Sequence, residues 1–514
     1  MDSRKALKAA ALALAVAAVA GKALWRPADH GGGAAPGADL VQKPGERGFT
    51  LGTLAFAPCE LETDQTAATT PAWCAPFQVP EDWQHPDGRR IDLKLALVRG
   101  NAPLAERDLV VLLAGGPGQA ATEAWPRARA GFAPLLEHRN VLLLDQRGTG
   151  GSNALNCKGE DGDDTEQPFD LERVRARTRA CLDAVSKHAD PRFYTTGDAL
   201  RDLEAVRAAL GSPQFDLVGV SYGTRVAQQY AARYPQGVRS IVLDSAVPNE
   251  HALGAEFARN LDVALQAQFA ACKAAPACAK AYGDPWANLL HLRETLRARP
   301  VEVAYRDPFD HAQRTMKLGP AVLAGLVRMY AYLPETSALL PLGIARAQAG
   351  DYASLAGQIR MLGRDLESLA ENAMQLSVIC SEDADLLPAS GDDAKTLLGS
   401  EFVDTLRAQC AIWPHGARAD DFHAAFASDK PVLLLAGEFD PVTPPRYAEQ
   451  IARALPHGRV LVAKGQGHSV MGRGCLPKLV ARFVDALDAA ALDAGCIADF
   501  SAQPAFIDFN GAAP

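Results

Sequence analysis

The stretch Gly219-Val220-Ser221-Tyr222-Gly223 lies between an apolar run and a segment with helical spacing. The run 215–218 predicts a short buried strand, and residues 224–234 predict a helix. A serine on a tight strand-to-helix turn needs small neighbours, because the two backbones come close there. The helix N-terminus also places unpaired N–H groups near the serine oxygen. The pattern therefore predicts a nucleophilic Ser221, although an ordinary strand-to-helix turn can carry the same five residues.

Other apolar runs of strand length alternate with helical segments on both sides of this stretch. Strands are expected at 49–57, 91–98, 109–114, 141–144, 240–244, 431–436 and 459–462, and helices at 168–188, 197–210 and 476–491. The solid apolar runs are typical of parallel strands covered on both faces. The order predicts an α/β fold with a mostly parallel, doubly wound sheet, whose chemistry gathers at the carboxyl ends of the strands.

The composition changes along the chain predict a division into segments. Residues 1–20 have a basic start, an apolar run and an Ala-x-Ala end, which predicts a secretory signal peptide; an uncleaved anchor and an Ala-rich cytosolic helix are the alternatives. The Gly- and Pro-rich residues 21–48 predict a flexible linker. The sheet core is expected at 49–248 and 429–498, with a C-terminal tail at 499–514. Residues 249–428 are rich in helical segments and predict a cap over the sheet, or else an independent helical domain.

The net charge and the cysteine content indicate which binding partners the protein can have and in which cellular compartment it folds. A net charge of −9 and a pI of about 5.7 give no basic footprint for nucleic acid. The mean hydropathy of −0.07 is not that of a multi-span membrane protein. Ten cysteines fit an oxidising compartment, and their spacing matches no zinc motif. Pairing neighbours predicts Cys59–Cys74, Cys157–Cys181, Cys272–Cys278, Cys380–Cys410 and Cys475–Cys496.

Two further polar residues follow predicted strands in the order expected of a Ser-Asp-His triad. Asp440 follows the run 431–436, and His468 follows the run 459–462. In this interpretation His468 takes the proton of Ser221, and Asp440 orients the imidazole and stabilises its cation. The N–H groups of Tyr222 and Gly116 are the predicted oxyanion donors, since Pro117 has no N–H.

These motifs resemble those of the proline iminopeptidase and tripeptidyl aminopeptidase branch of the α/β hydrolases. The shared segments are Gly115–Gly118, Asp145–Ser152, Gly219–Gly223, Gly437–Pro444 and Gly467-His468, within a similarity that covers about residues 50–496. The leader, the paired cysteines and the long cap are most similar to the exported tripeptidyl aminopeptidases. The resemblance implies a capped hydrolase fold, no metal or other cofactor, and hydrolysis near peptide N-termini. One departure is Ala114, where this branch often has histidine.

An enzyme of this kind needs a negative group for the substrate's α-ammonium. Glu382 and then Asp383, beside Cys380, are the predicted counter-charges, with a structural charge pair as the alternative. An esterase with the same triad and a non-catalytic binding protein are the competing hypotheses. A negative cap pocket near Ser221 would favour the peptidase, and an apolar, uncharged funnel the esterase. Oligomeric state and the length of the released unit are left open by the sequence.

Overall fold

A ten-stranded mixed sheet forms the centre of the protein. The computed structural model describes residues 47–63, 66–101, 109–157, 169–370 and 373–512. The predicted signal peptide 1–20 and all but the last two residues of the predicted linker 21–48 lie outside these ranges. The strand order is β1-β2-β3-β4-β6-β5-β7-β8-β11-β12, and β9 and β10 form a separate hairpin.

The strands alternate with helices through most of the sheet. The strands are β1 Phe49–Leu51, β2 Leu54–Thr63, β3 Thr66–Pro80, β4 Arg90–Val98, β5 Leu109–Leu113, β6 Val141–Leu144, β7 Phe215–Val220, β8 Val238–Asp244, β9 Val301–Arg306, β10 Gln313–Leu318, β11 Val432–Gly437 and β12 Gly458–Ala463. The core helices are α1 Ala121–Phe132, α2 Leu171–Val185, α3 Thr196–Leu210, α4 Tyr222–Arg233, α14 Pro445–Ala452 and α15 Leu476–Ala486. The helices between β8 and β11 are α5 Phe257–Ala274, α6 Pro276–Tyr282, α7 Pro285–Ala298, α8 Pro320–Ala331, α9 Pro334–Ser337, α10 Leu340–Gln348, α11 Ala353–Ala370, α12 Ala373–Glu382 and α13 Glu401–Cys410.

Strands β5 to β8, β11 and β12 form the parallel part of the sheet. Every residue of β5, β6 and β11 is buried, as expected for strands with helices on both faces. The amphipathic helix α15 closes one face by packing Leu479, Val480 and Phe483 into the same apolar core. The predicted α/β fold with a mostly parallel sheet is therefore confirmed.

The N-terminal strands are antiparallel and include β3, which the sequence did not predict. Its prolines argue against a strand when only the sequence is read. Pro71 lies where β3 pairs only with β2, and Pro76 lies where β3 pairs only with β4. Because one side of the strand is open at each position, a proline there can direct its nitrogen away from the hydrogen-bonded neighbour.

The segment between β8 and β11 builds an apolar core of its own. Leu261 and Leu265 of α5 pack there with Leu292 of α7 and Val327 of α8. The hairpin β9–β10 joins this core through Val303, Tyr305 and Met316. This hairpin was not predicted, because the sequence of the segment is rich in helical segments. We call residues 249–428 the cap; their role as a cap over the sheet, with an independent helical domain as the alternative, stays a prediction.

All ten cysteines are joined in five disulfides. The partners are the predicted neighbours: Cys59–Cys74, Cys157–Cys181, Cys272–Cys278, Cys380–Cys410 and Cys475–Cys496. Within the described ranges, no helix has the length and apolar character needed to cross a bilayer.

Candidate active site

Ser221 lies on a sharp turn between β7 and α4. Its backbone has φ 55° and ψ −123°, a conformation that few non-glycine residues adopt. The flanking glycines permit this turn, because a Cβ on Gly219 would meet the carbonyl oxygen of Gly223 at 2.5 Å. A Cβ on Gly223 would meet the carbonyl oxygen of Leu113, in β5, at 2.0 Å. The predicted interpretation of both glycines, a close approach of strand and helix, therefore has a direct geometric basis.

Asp440 and His468 meet at the ends of β11 and β12. The Nδ1 atom of His468 lies 2.8 and 3.0 Å from the two carboxylate oxygens of Asp440. Asp440 also accepts hydrogen bonds from the N–H groups of Val442 and Thr443, both at 2.8 Å, and from the Thr443 hydroxyl at 2.9 Å. With Nδ1–H donating to Asp440, Nε2 is the imidazole nitrogen that remains for Ser221. Ser221 and His468 line one cavity, and Asp440 lies behind the imidazole with 1% of its surface exposed.

The two charges of this pair stabilise each other. Burial alone would raise the pKa of Asp440, but the charge and hydrogen bond of His468 and the N–H donors lower it overall. Burial alone would lower the pKa of His468, but the charge and hydrogen bond of Asp440 raise it, with a smaller contribution from Asp244. An imidazole in this environment can accept a proton and hold it as a cation.

The loop that carries His468 is held by both the core and the cap. Asp244, at the end of β8, accepts the N–H groups of Val470 at 2.9 Å and Met471 at 3.0 Å. Burial raises the pKa of Asp244 to about 6, although both N–H donors oppose the rise. From the cap, the carbonyl oxygen of Tyr332 accepts the N–H of His468 at 2.8 Å. The Tyr332 ring also contacts the imidazole edge-on, with centroids 5.2 Å apart.

The predicted oxyanion donors lie beside Ser221. Tyr222 is the first residue of α4, so its N–H is one of the four that a helix leaves without an internal partner. The turn after β5 packs against the serine, because a Cβ on Gly115 would lie 3.1 Å from the Ser221 Cβ. Gly116 and Tyr222 line the same cavity as Ser221 and His468. The arrangement provides the parts that an acyl transfer needs: a nucleophile, a base with its orienting carboxylate, and N–H donors near the serine.

Glu382 and Asp383 lie elsewhere, and the structure gives no support to their predicted contact with substrate. Both are buried and neither lines the cavity. The Glu382 carboxylate accepts the Thr196 N–H at 2.5 Å and the Thr196 hydroxyl at 2.9 Å, and Thr196 in turn contacts the Tyr222 hydroxyl at 2.7 Å. Burial and then the charge of Asp383 raise the pKa of Glu382 to about 8, so it is a poor counter-charge near neutral pH.

Asp383 forms a buried ion pair with the helix that follows Ser221. Its Oδ2 lies 2.8 Å from Nη1 of Arg225 and accepts the Leu253 N–H at 3.0 Å. Both side chains are fully buried. The two adjacent carboxylates at the end of α12 therefore connect the cap to α3 and to the first turn of α4. This arrangement corresponds to the alternative of a structural charge pair.

The Asp145–Ser152 segment is held by two separate sets of contacts. Asp145 accepts the Thr122 N–H and hydroxyl, both at 2.8 Å, and the Gly151 N–H at 3.1 Å. Arg147 instead forms a buried bidentate pair with Asp202 of α3, with both distances 2.6 Å. Asp145 therefore joins the loop to α1 and to its own Gly151, whereas Arg147 joins the loop to a distant helix.

A cavity of about 1360 Å³ surrounds these groups. Its walls include Glu123 of α1, Glu256 before α5, and three arginines: Arg127, Arg328 and Arg473. The cavity is therefore charged rather than a wholly apolar funnel. In the part of the chain that the structure describes, no group of three or more His, Cys, Asp or Glu side chains could hold a metal ion.

Sequence reasoning missed three residues that position the site. Thr443 bonds Asp440 and lies 3.3 Å from Nδ1 of His468, and its place in the Asp440-x-x-Thr443 pattern was the available signal. Asp244 ends a predicted strand, as the other site residues do, and could have been found on that ground. Tyr332 carries no local signal, because its role depends on how the cap folds over the sheet.

Comparisons with known proteins agree with this geometry. A model of the alpha/beta hydrolase fold matches residues 108–472, more than half of the chain. Serine protease Hip1 of Mycobacterium tuberculosis H37Rv is 26% identical over 479 residues, covering 84% of this chain and 88% of that protein. Tripeptidyl aminopeptidase of Streptomyces lividans is 24% identical over 465 residues, covering 83% and 84%. Proline iminopeptidase of Neisseria gonorrhoeae is 28% identical over 134 residues, covering 26% of this chain and 31% of that protein.

The chain belongs to the α/β-hydrolase family. The predicted resemblance to the proline iminopeptidase and tripeptidyl aminopeptidase branch is confirmed, and so is the prediction of a serine hydrolase.

Proposed function

We propose that this α/β hydrolase is an exported serine aminopeptidase, which releases single residues or short units from peptide N-termini. The observation that carries the proposal is the pairing of His468 with Asp440 in the cavity that also holds Ser221. The two relatives that match over most of the chain are named a serine protease and a tripeptidyl aminopeptidase. These names support peptides, rather than other acyl compounds, as the substrates.

The mechanism follows from the positions of these groups. Ser221 Oγ attacks the carbonyl carbon while Nε2 of His468 accepts the hydroxyl proton, and Asp440 stabilises the resulting imidazolium. The N–H groups of Tyr222 and Gly116 stabilise the oxyanion of the tetrahedral intermediate. His468 then protonates the leaving amine, and the C–N bond breaks to give an acyl-enzyme. A water molecule then attacks the acyl ester while His468 accepts its proton, and His468 gives a proton to Ser221 Oγ as the C–O bond breaks, which frees the N-terminal product.

Glu256 is the cavity carboxylate that we propose for the substrate's α-ammonium, in place of Glu382. Burial alone would raise the pKa of Glu256, but the Tyr447 hydroxyl bond and the charges of His251 and Arg446 lower it overall. It therefore keeps its charge near neutral pH, and its side chain is one-third exposed. This carboxylate is the negative wall group that an aminopeptidase pocket needs, whereas the three arginines of the same wall do not distinguish an aminopeptidase from an esterase.

A substrate panel tests the reaction class. Anilides of alanine, proline and Ala-Ala-Ala with free N-termini are compared with an N-blocked anilide and with short-chain aryl esters. We expect cleavage of free peptides, slower cleavage of the blocked one, and loss of all activity and of fluorophosphonate labelling in Ser221→Ala. Cleavage of esters alone would contradict the aminopeptidase proposal, and wild-type protein that fails to react with a fluorophosphonate would contradict the triad.

Export is the second part of the proposal. Five disulfides are compatible with an oxidising compartment, and the sequence of residues 1–20 has the features of a signal peptide. Cell fractionation with N-terminal sequencing tests it. A protein recovered outside the cytoplasm that begins at about Gly21 is expected, and a reduced cytoplasmic protein would contradict it.

A further inference from the structure

Arg328 is a charged residue of the cavity wall that the proposed mechanism does not use. It lies on α8 of the cap and lines the cavity that contains Ser221. Its guanidinium lies over two aromatic rings, 5.3 Å from the centroid of Phe257 and 4.7 Å from that of Phe402. These rings belong to α5 and α13, so three separate cap helices build the surroundings of this one cation.

Two of the other charged groups in the cavity wall have partners, and Arg127, for which the described residues supply none, is exposed on α1. Arg473 forms a bidentate ion pair with Glu335, in which Nη2 lies 3.1 Å from Oε2. The carboxylate of Glu256 lies 3.1 Å from Nη2 of Arg446. By contrast, the Arg328 guanidinium lies over the two rings, and no carboxylate or carbonyl of the described residues forms an ion pair or hydrogen bond with it. Aromatic stacking holds a guanidinium in a fixed plane and leaves its N–H edge free to donate.

The helix geometry places Arg328 close to the reaction centre. Tyr332 follows Arg328 by four residues with helical backbone angles, so the two side chains lie on one face of α8. Tyr332 is also the cap residue that contacts the His468 ring and accepts its N–H. A substrate group that reaches the guanidinium therefore lies within a few residues of the bond being cut, at roughly 3.5 Å per extended residue.

We propose that Arg328 forms a subsite for a substrate carboxylate. A planar guanidinium suits this group because it donates two parallel N–H bonds to the two carboxylate oxygens. The carboxylate comes either from an acidic side chain near the cleaved bond or from the C-terminus of a short peptide. The inference rests on the proposed function and adds a substrate class to it: peptides with a carboxylate within a few residues of the cleavage point.

Matched substrates test the subsite. The first set contains peptides that differ by Glu or Gln at each position around the cleaved bond, and the second contains short peptides ending in a free acid or an amide. We expect the wild-type enzyme to favour the acidic member in one set by about tenfold or more in kcat/KM, chiefly through KM. Arg328→Gln should abolish that preference while keeping the activity on neutral substrates, and Arg328→Lys should keep part of it.

Arg473→Gln is the matched control, because it removes an arginine from the same cavity that already has a carboxylate partner. It should leave the preference for acidic substrates unchanged. A wild-type enzyme without any acid preference would overturn the subsite, and so would an Arg328→Gln variant that keeps the preference. The salt dependence of the wild-type preference needs no variant and should show the preference weakening as ionic strength rises.

A third substrate set separates this inference from the proposed function. Aryl esters whose acyl chains end in a carboxylate or a carboxamide can react at Ser221 even if peptides do not. A preference for the acid ester that is lost in Arg328→Gln would support the subsite although the peptidase proposal had failed. Cleavage of peptides with no acid preference in any set would overturn the subsite and leave the peptidase proposal intact.

Discussion

Asp440 and Glu382 are both carboxylates with 1% exposure, yet their surroundings shift their pKa values in opposite directions. Asp440 faces an imidazole and three N–H or O–H donors of its own loop, and its pKa is lowered. Glu382 faces the neutral Thr196 and lies beside the negative Asp383, and its pKa is raised to about 8. The first carboxylate can stabilise a catalytic cation, whereas the second anchors the cap on the core.

The difference shows that a buried carboxylate takes its role from its neighbours. Burial raises the pKa in both places, and only Asp440 has a partner that becomes positive during the proposed reaction. Asp383 resembles Asp440 in having a cation, Arg225, but that cation lies away from the cavity walls. Each of the substitutions below tests one side of this comparison.

The largest effect is expected for Asp440→Asn. Without the negative charge the imidazolium loses its stabilising partner, and the asparagine amide can donate to Nδ1 of His468 and so hold the imidazole in the wrong tautomer. We expect kcat to fall on the order of 10⁴-fold with the fold retained. The rate of substrate hydrolysis measures the fall in kcat, and circular dichroism shows whether the fold is retained. Asp421→Asn removes an exposed carboxylate as a control, and wild-type rates in Asp440→Asn would contradict the assigned role.

The next effect is on stability and concerns Asp383→Asn. It leaves the fully buried Arg225 without its ion-pair partner, which typically costs about 3 kcal/mol or more of the free energy of unfolding. The control is Asp385→Asn, because Asp385 is 58% exposed and pairs with Arg418 at 2.7 Å at the surface. That exposed pair should contribute about 1 kcal/mol or less. Equal costs for the two variants in denaturant unfolding would refute the distinction.

Glu382 comes third, and two substitutions distinguish an anchor from a substrate ligand. Glu382→Ala leaves the N–H and hydroxyl of Thr196 without their acceptor, which should cost about 1–3 kcal/mol of unfolding free energy. Glu382→Gln keeps an acceptor oxygen and should cost less, with KM for free peptides unchanged. A large rise in KM without a loss of stability in Glu382→Gln would show that Glu382 binds the substrate after all.

The last prediction concerns the pH dependence of stability. Because the pKa of Glu382 is about 8 in the folded state against 4.5 as its ordinary value, the folded protein retains a proton that the unfolded chain has lost. The contribution of Glu382 to the free energy of unfolding is fully present below pH 4.5 and is lost as the pH rises through about 8. Asp440 acts in the opposite sense, since its lowered pKa makes its contribution disappear on acidification.

Thermal unfolding of wild type and Glu382→Gln across this range measures the effect. Glutamine does not titrate, so the Tm of wild type should fall relative to that of Glu382→Gln as the pH rises toward 8. A difference between the two that is independent of pH would show that Glu382 is already charged in the folded protein.

Much of the candidate site was predictable because its signals are local. Ser221 needs glycines on both sides, and those glycines stand next to it in the sequence. Asp440 and His468 each follow an apolar run of strand length, so the parallel sheet brings them to one edge. The strand β3 was missed because its prolines are a local signal against a strand. The pairing of β3 with its neighbouring strands overrides that signal.

The sequence by itself determined the α/β fold, the order of Ser221, Asp440 and His468, and the neighbour pairing of the cysteines as a prediction. Periodicity, tight turns and chain order follow from residues that are close in sequence. Only the tertiary structure decided which carboxylates face the cavity and which face the protein. That outcome depends on contacts between residues more than a hundred positions apart, such as Glu382 with Thr196 and Asp383 with Arg225. A carboxylate in a sequence has no partner until the fold supplies one, and the partner determines both its charge and its function.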